Sequence, residues 1–273
     1  MYEKLAYHAN CWGHLGGNAV GVTSITQLTY MTFCKLEDPL TDIAKAGYTG
    51  IEIFDGNLFE YKDRLSELKK MLSNSGLKLI ASYSGGNLIF NDILNEEIDK
   101  IKKSIDISKE LGAIHFVVGG GAKKSNGTND DDYNKLADSL NKIDLLCEKS
   151  DLEGHYHPHL STIVEGPDEV KKIFNLTSIN FCPDTAHLYA AGGDPSKLIL
   201  DLKDKVSYVH LKGFQNNPFS FTPLDEGELD NSKVIDTLKK INFKGWITNE
   251  LDAWDDPFDG ALRSFNYVQN HFR

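Results

Sequence analysis

Residues 50–84 read GIEIFDGNLFEYKDRLSELKKMLSNSGLKLIASYS. Both ends are short apolar runs of strand length. Between them, Leu65, Leu68, Met71 and Leu72 fall at the three- and four-residue steps of one helical face. Gly76 follows, where a helix ends most easily on a residue without a Cβ. The stretch is therefore strand, helix, strand. Outward from it the same alternation continues in both directions. Strand-like runs occur at KLAYHANCW, GIEIF, LKLIASYS, AIHFVVGGG, GHYHPH, INFCPD, VSYVHLKG and GWITNELD. Amphipathic helical patterns follow them, from EDPLTDIAKAG to GALRSFNYVQNHF. Eight units in 273 residues, roughly 34 residues each, predict a single (β/α)8 barrel domain over residues 1–273. An open doubly wound sheet is the alternative. Two connections are long, 13–34 and 213–230, and both follow a strand, on the face where barrels carry their active sites.

Composition narrows the function. A formal charge of −11 argues against nucleic acid and against an anionic membrane surface as partners. Cys11, Cys34, Cys147 and Cys182 show no C-x-x-C spacing, so neither a disulfide framework nor a zinc ribbon is indicated. The start MYEKLAYHANCWG lacks a signal-peptide pattern, and no run of ~18 apolar residues is present. A cytoplasmic protein is expected.

The chemistry-bearing residues collect at strand ends. GHYHPHL, residues 154–160, places His155, His157 and His159 at alternate positions, on one face if the strand persists. Asp184 ends strand six, with His187 in the loop after it; strand seven aligns Tyr208, His210 and Lys212; strand eight leads to Glu250 and Asp252. Two imidazoles and two carboxylates on one rim make a ligand set for a divalent ion. Taken singly, each has a plainer reading. His210 is a hydrogen-bonded core histidine, Asp184 a helix cap, Glu250 half of an internal ion pair. Their occurrence in four successive units favours the metal.

The stretches AKAGYTGIEIF, DTAHLYAAGGDP, YVHLKG, PLDEGELD and GWITNELD resemble the xylose isomerase-like TIM-barrel family of sugar phosphate isomerases and epimerases, over nearly the whole chain. The resemblance implies one divalent ion (Mn, Co, Zn or Fe) held on strands five to eight, with Asp184, His210 and Glu250 as three ligands. The fourth family position is commonly glutamate in a Glu-x-His motif, whereas here it is His157-Pro158-His159. That departure resembles inosose dehydratases and relatives that cleave 3-keto-glycosides and C-glycosides. It breaks the symmetric pair of carboxylates with which epimerases exchange protons from opposite faces. It also leaves two carboxylates on a dication rather than three, a stronger Lewis acid toward a ketone. The implied activity is a metal-dependent lyase or dehydratase that eliminates a β-substituent from a keto-sugar or keto-inositol. The alternative is a sugar isomerase or epimerase.

On this reading His157, Asp184, His210 and Glu250 hold the metal, and His159, Glu250 and Lys212 are catalytic, His159 as base. His155, deeper in the barrel, is structural. Lys212 either neutralises an enolate or pairs with Asp252. His8, Trp12, Glu52 and His187 are candidate substrate contacts, with Trp12 sharing a face of strand one with His8. Glu165 is a weaker candidate for the missing carboxylate. Gly119–Gly121 lacks the fingerprint of a phosphate loop. A nuclease of the endonuclease IV type needs histidines on strands two and three, which are absent, and a barrel without activity fits poorly with the retained ligands. The expected partner is a small sugar or cyclitol, and a homo- or hetero-oligomer stays open.

Overall fold

The structure, a computed structural model, describes residues 1–16 and 28–272. Eight parallel strands form the barrel wall: β1 (Leu5–His8), β2 (Gly50–Phe54), β3 (Lys78–Gly86), β4 (His115–Gly120), β5 (Glu153–His157), β6 (Asn180–Phe181), β7 (Tyr208–Leu211) and β8 (Trp246–Asn249). Their hydrogen-bonded order is β6-β5-β4-β3-β2-β1-β8-β7. The remaining seam, β6 against β7, is closed by one bridge between Asp184 and His210, where the His210 N–H donates to the Pro183 carbonyl at 2.9 Å.

Around the wall run α1 (Glu37–Ala46), α2 (Leu65–Ser75), α3 (Asn91–Glu110), α4 (Asp130–Lys149), α5 (Pro167–Leu176), α6 (Pro195–Asp201), α7 (Asn231–Lys240) and α8 (Pro257–His271). Gly76 closes α2 at φ 73°, and its N–H reaches the Leu72 carbonyl. Strand residues such as Ile51, Phe116 and Tyr156 pack outward against Ile43, Leu68 and Ile101 of the helices. The inner faces carry a second cluster that includes Ile80, Val117, Cys182 and Tyr208. Above it, toward the strands' C-terminal ends, the lumen turns polar.

Two strands stop earlier than the alternation suggests. β5 ends at His157 because Pro158 has no N–H for the ladder, so His159 lies in the following loop. β1 ends at His8, which leaves Trp12 in a turn. Two short helices also appear that the periodicity does not predict, Asp55–Phe59 and Thr185–Ala190. The connection after β7 contains a hairpin, Gly213–Gln215 with Ser220–Thr222. In the connection after β1, His14–Gly16 pairs with Met31–Phe33, and residues 17–27 lie outside the described residues.

Candidate active site and metal centre

The end of the polypeptide's fifth strand and the three units after it deliver one side chain each to a common point. His157 closes β5, Asp184 follows β6, His210 lies within β7, and Glu250 follows β8. One ligand atom from each lies within 4.8 Å of all the others, and all four residues are buried. His157 Nε2 stands 3.5 Å from Asp184 Oδ2, and His210 Nδ1 stands 2.6 Å from Glu250 Oε2.

Each carboxylate divides its oxygens between scaffold and centre. Asp184 Oδ1 accepts the Ala186 and His187 N–H groups at 2.9 Å and so caps the helix Thr185–Ala190. Glu250 Oε1 accepts from Asn10 Nδ2 at 2.9 Å and from Lys212 Nζ at 3.0 Å. Among the described residues, the other oxygens, Asp184 Oδ2 and Glu250 Oε2, accept no well-aligned hydrogen bond, and His157 Nε2 and His210 Nδ1 make none. Four buried ligand atoms that face one point, close to charged neighbours but without well-aligned hydrogen bonds, suit a shared cation. The residues present therefore fit a divalent metal ion.

His210 is oriented from behind. Its Nε2 stands 2.9 Å from Glu52, which fixes the proton there and leaves Nδ1 for the centre. Glu52 also accepts the Tyr208 hydroxyl and sits 3.4 Å from His8 Nε2. Glu52 and His8 are thus a supporting layer beneath the centre, paired in register on β2 and β1. Burial lowers the pKa of His157, which favours the neutral, ligating ring. At Asp184 and Glu250 burial opposes ionisation, but Lys212 and the neighbouring imidazoles outweigh it and hold both carboxyls well below the usual range. The Lys212 ammonium is buried 3.0 Å from Glu250, 3.1 Å from Asp252 and 3.4 Å from Asp184. Burial disfavours its charge, yet these carboxylates raise its pKa, so it stays protonated and acts as a donor rather than a base.

A cavity of about 650 Å³ opens over the rim, lined by Tyr30, Phe54 and Tyr83 together with His157, His159 and Glu250. His159 Nδ1 meets the Leu160 carbonyl at 2.7 Å, and its ring lies against His187 with centroids 3.8 Å apart. The carbonyl accepts only, so Nδ1 carries the proton and the neutral ring keeps its lone pair on Nε2. His187 Nε2 is 3.4 Å from Lys212 Nζ. His155 is buried below, 3.0 Å from His115.

Two expected residues are placed elsewhere. Trp12 is not among the residues that line the cavity; its indole N–H donates to Asp42 at 2.8 Å, and its ring meets the edge of Tyr7. The early end of β1 breaks the alternation that linked it to His8. Glu165 is held in its own loop by Lys123 at 2.7 Å and by the Ser161 N–H, away from the centre.

The structure also adds residues. Asn10 orients Glu250 and Asp252. Glu97 and Lys100 of α3 line the cavity, where Glu97 accepts the Asn87 and Leu88 N–H groups and Lys100 donates to the Gly85 carbonyl. A sequence signal for Glu97 exists: it shares a four-three-four stripe with Ile101, Ser104 and Ser108, and so sits polar on the helix's buried face.

Fold and rim together define a (β/α)8 barrel with a buried metal-ligand set on strands five to eight. The family model described as xylose isomerase-like TIM barrel matches residues 40–270, and the chain belongs to that family. Among curated relatives, the inosose dehydratase of Clostridium beijerinckii is 25% identical over 268 residues, covering 85% of this chain and 88% of its own. Among solved structures, an L-ribulose 3-epimerase superposes with a TM-score of 0.77 at 16% identity, covering 98% of this chain and 93% of that one. The IOLI protein, solved with a bound zinc atom, superposes with a TM-score of 0.71 at 18% identity, covering 97% and 96%.

Proposed function

We propose that this chain is a divalent-metal-dependent lyase that eliminates a β-substituent from a keto-sugar or keto-cyclitol. The observation that carries the reading is the buried set of four converging ligand atoms, with an imidazole at position 157 where the family resemblance implies a glutamate. The similarity to inosose dehydratases supports the same class of substrate and reaction. Zinc in the structurally similar IOLI protein supports a transition ion at the rim, and manganese, cobalt and iron suit the same donors.

A divalent ion at the rim supplies Lewis acidity toward a ketone oxygen. The chain's own residues do the rest. Tyr30, Phe54 and Tyr83 offer apolar faces for a sugar ring and exclude water from it. His159 takes the proton α to the ketone on Nε2, the nitrogen freed by the Leu160 carbonyl. The electron pair left on that carbon forms the new double bond as the β-oxygen departs and takes the proton that His159 had accepted, so that the net loss is one molecule of water or alcohol. The Lys212 ammonium balances negative charge that builds beside Glu250. Residues 1–273 act as one barrel domain, in the cytoplasm, on a small molecule.

The test is incubation of metal-loaded protein with a keto-inositol, a 3-keto-glucoside and a free ketose. Ultraviolet absorbance of an enone with either of the first two is expected. Deuterium exchange and inversion at a substrate carbon, with no enone and no released substituent, would establish the epimerase reading instead.

A further inference from the structure

At the opposite end of the barrel, where the strands begin, a second group of side chains converges. His115 opens β4 and Glu153 opens β5 as register partners, and His155 is the next inward residue of β5. Among the described residues, this is the other group whose ligand atoms lie close enough for one ion. His115 Nδ1 and His155 Nε2 are 3.0 Å apart, and Glu153 Oε2 is 3.5 Å from the first and 3.8 Å from the second. Around a tetrahedral ion with bonds of about 2.0–2.2 Å, ligand atoms stand roughly 3.3–3.6 Å apart. The three observed separations bracket that range.

The surroundings suit an ion as well. Both rings are buried, as metal-ligating imidazoles commonly are. Ser207 Oγ donates to Glu153 Oε2 at 2.7 Å and so orients the carboxylate from the approach to β7. Glu153 itself is half exposed, beside a cavity of about 410 Å³ lined by Lys4, Ser207 and Lys244, which gives an entry path and room for water as a fourth ligand. The Tyr208 ring, 4.8 Å from His115 and 5.4 Å from His155, stands between this group and Glu52. The lower group is therefore separate from the rim.

We infer that His115, Glu153 and His155 form a second metal site at the N-terminal mouth of the barrel, for a zinc-like transition ion. Two imidazoles and one carboxylate favour Zn²⁺ or Co²⁺ over Mg²⁺ or Ca²⁺, which prefer oxygen throughout. The inference does not depend on the proposed reaction.

The experiment titrates chelator-stripped protein with Co²⁺, following bound metal by elemental analysis and visible absorbance. Two equivalents are expected in the unaltered chain. Glu153→Gln, a change at an exposed side chain, should weaken one of them by at least ~10- to 100-fold and leave turnover unchanged. His157→Ala combined with Glu250→Gln should keep the lower equivalent, with the intense visible bands of tetrahedral cobalt. No cobalt bound by the variant that combines His157→Ala with Glu250→Gln, or no loss of affinity at any equivalent in Glu153→Gln, overturns the site. In that case the two histidines simply share a proton.

Discussion

Asp184 serves two structures with two oxygens, and substitutions can separate them. Asp184→Asn retains a side-chain acceptor for the Ala186 and His187 N–H groups but lacks the charge that faces the centre. It should fold normally and bind rim metal poorly. Asp184→Ala removes the cap too, and in metal-free protein it should cost a further ~0.5–2 kcal/mol, read from the urea midpoint. His159 touches substrate rather than metal in the proposed reaction. His159→Ala should therefore keep the rim ion by elemental analysis while losing at least ~10²-fold in rate. His157→Ala should lose the ion first. Glu52→Gln tests orientation from behind: the altered partner of His210 should lower rim-metal affinity by ~10- to 100-fold with the fold intact.

Among the elements, the regular units were legible because hydrophobic period is a local property. Leu65, Leu68, Met71 and Leu72 mark α2, and Gly76 ends it where expected. The residues that frame the rim share this legibility, since Asp184, His210 and Glu250 sit where strands end. Less legible were places where one residue overrides the pattern. Pro158 ends β5 and frees His159 from the strand, which turns its ring toward His187. Trp12 follows a strand that stops four residues earlier. The helix Thr185–Ala190 is only six residues long, too short for a periodic signature. Glu97 and Lys100 reach the cavity from a helix of the outer layer through the loop between β3 and that helix; the buried stripe marks Glu97, but its partners, the backbone N–H groups of Asn87 and Leu88, carry no side-chain signal.

For the molecule as a whole, the polar lumen ties stability to pH. Burial lowers the pKa of His115 to about 4 and holds His155 and His187 well below the usual 6.5; His8 and His157 are lowered too. As pH falls below about 6.5, the unfolded chain takes up protons that these folded rings refuse. Each such ring removes about 1.4 kcal/mol per pH unit until its folded pKa is reached. His210 works the other way: burial opposes its charge, but Cys182, Glu52 and Glu250 raise its pKa, so its contribution is full below 6.5 and is lost as pH rises. The lowered rings outnumber it. Metal-free protein should therefore show a lower urea midpoint at pH 5.5 than at pH 7.5. An unchanged or higher midpoint would mean that the lumen accepts charge.

The seam between β6 and β7 has a mechanical consequence. Every other neighbouring pair of staves is laced by a ladder, whereas here a single bridge joins Asp184 to His210, two of the rim ligands. An ion bound by both would act as a clasp across the weakest joint of the wall. Amide hydrogen exchange gives this a measurable form. Stripping the metal should speed deuteration of the His210 N–H and its neighbours along that joint far more than deuteration of the β3–β4 amides. Breathing of the barrel and loss of its ion would then be one event, seen from two sides.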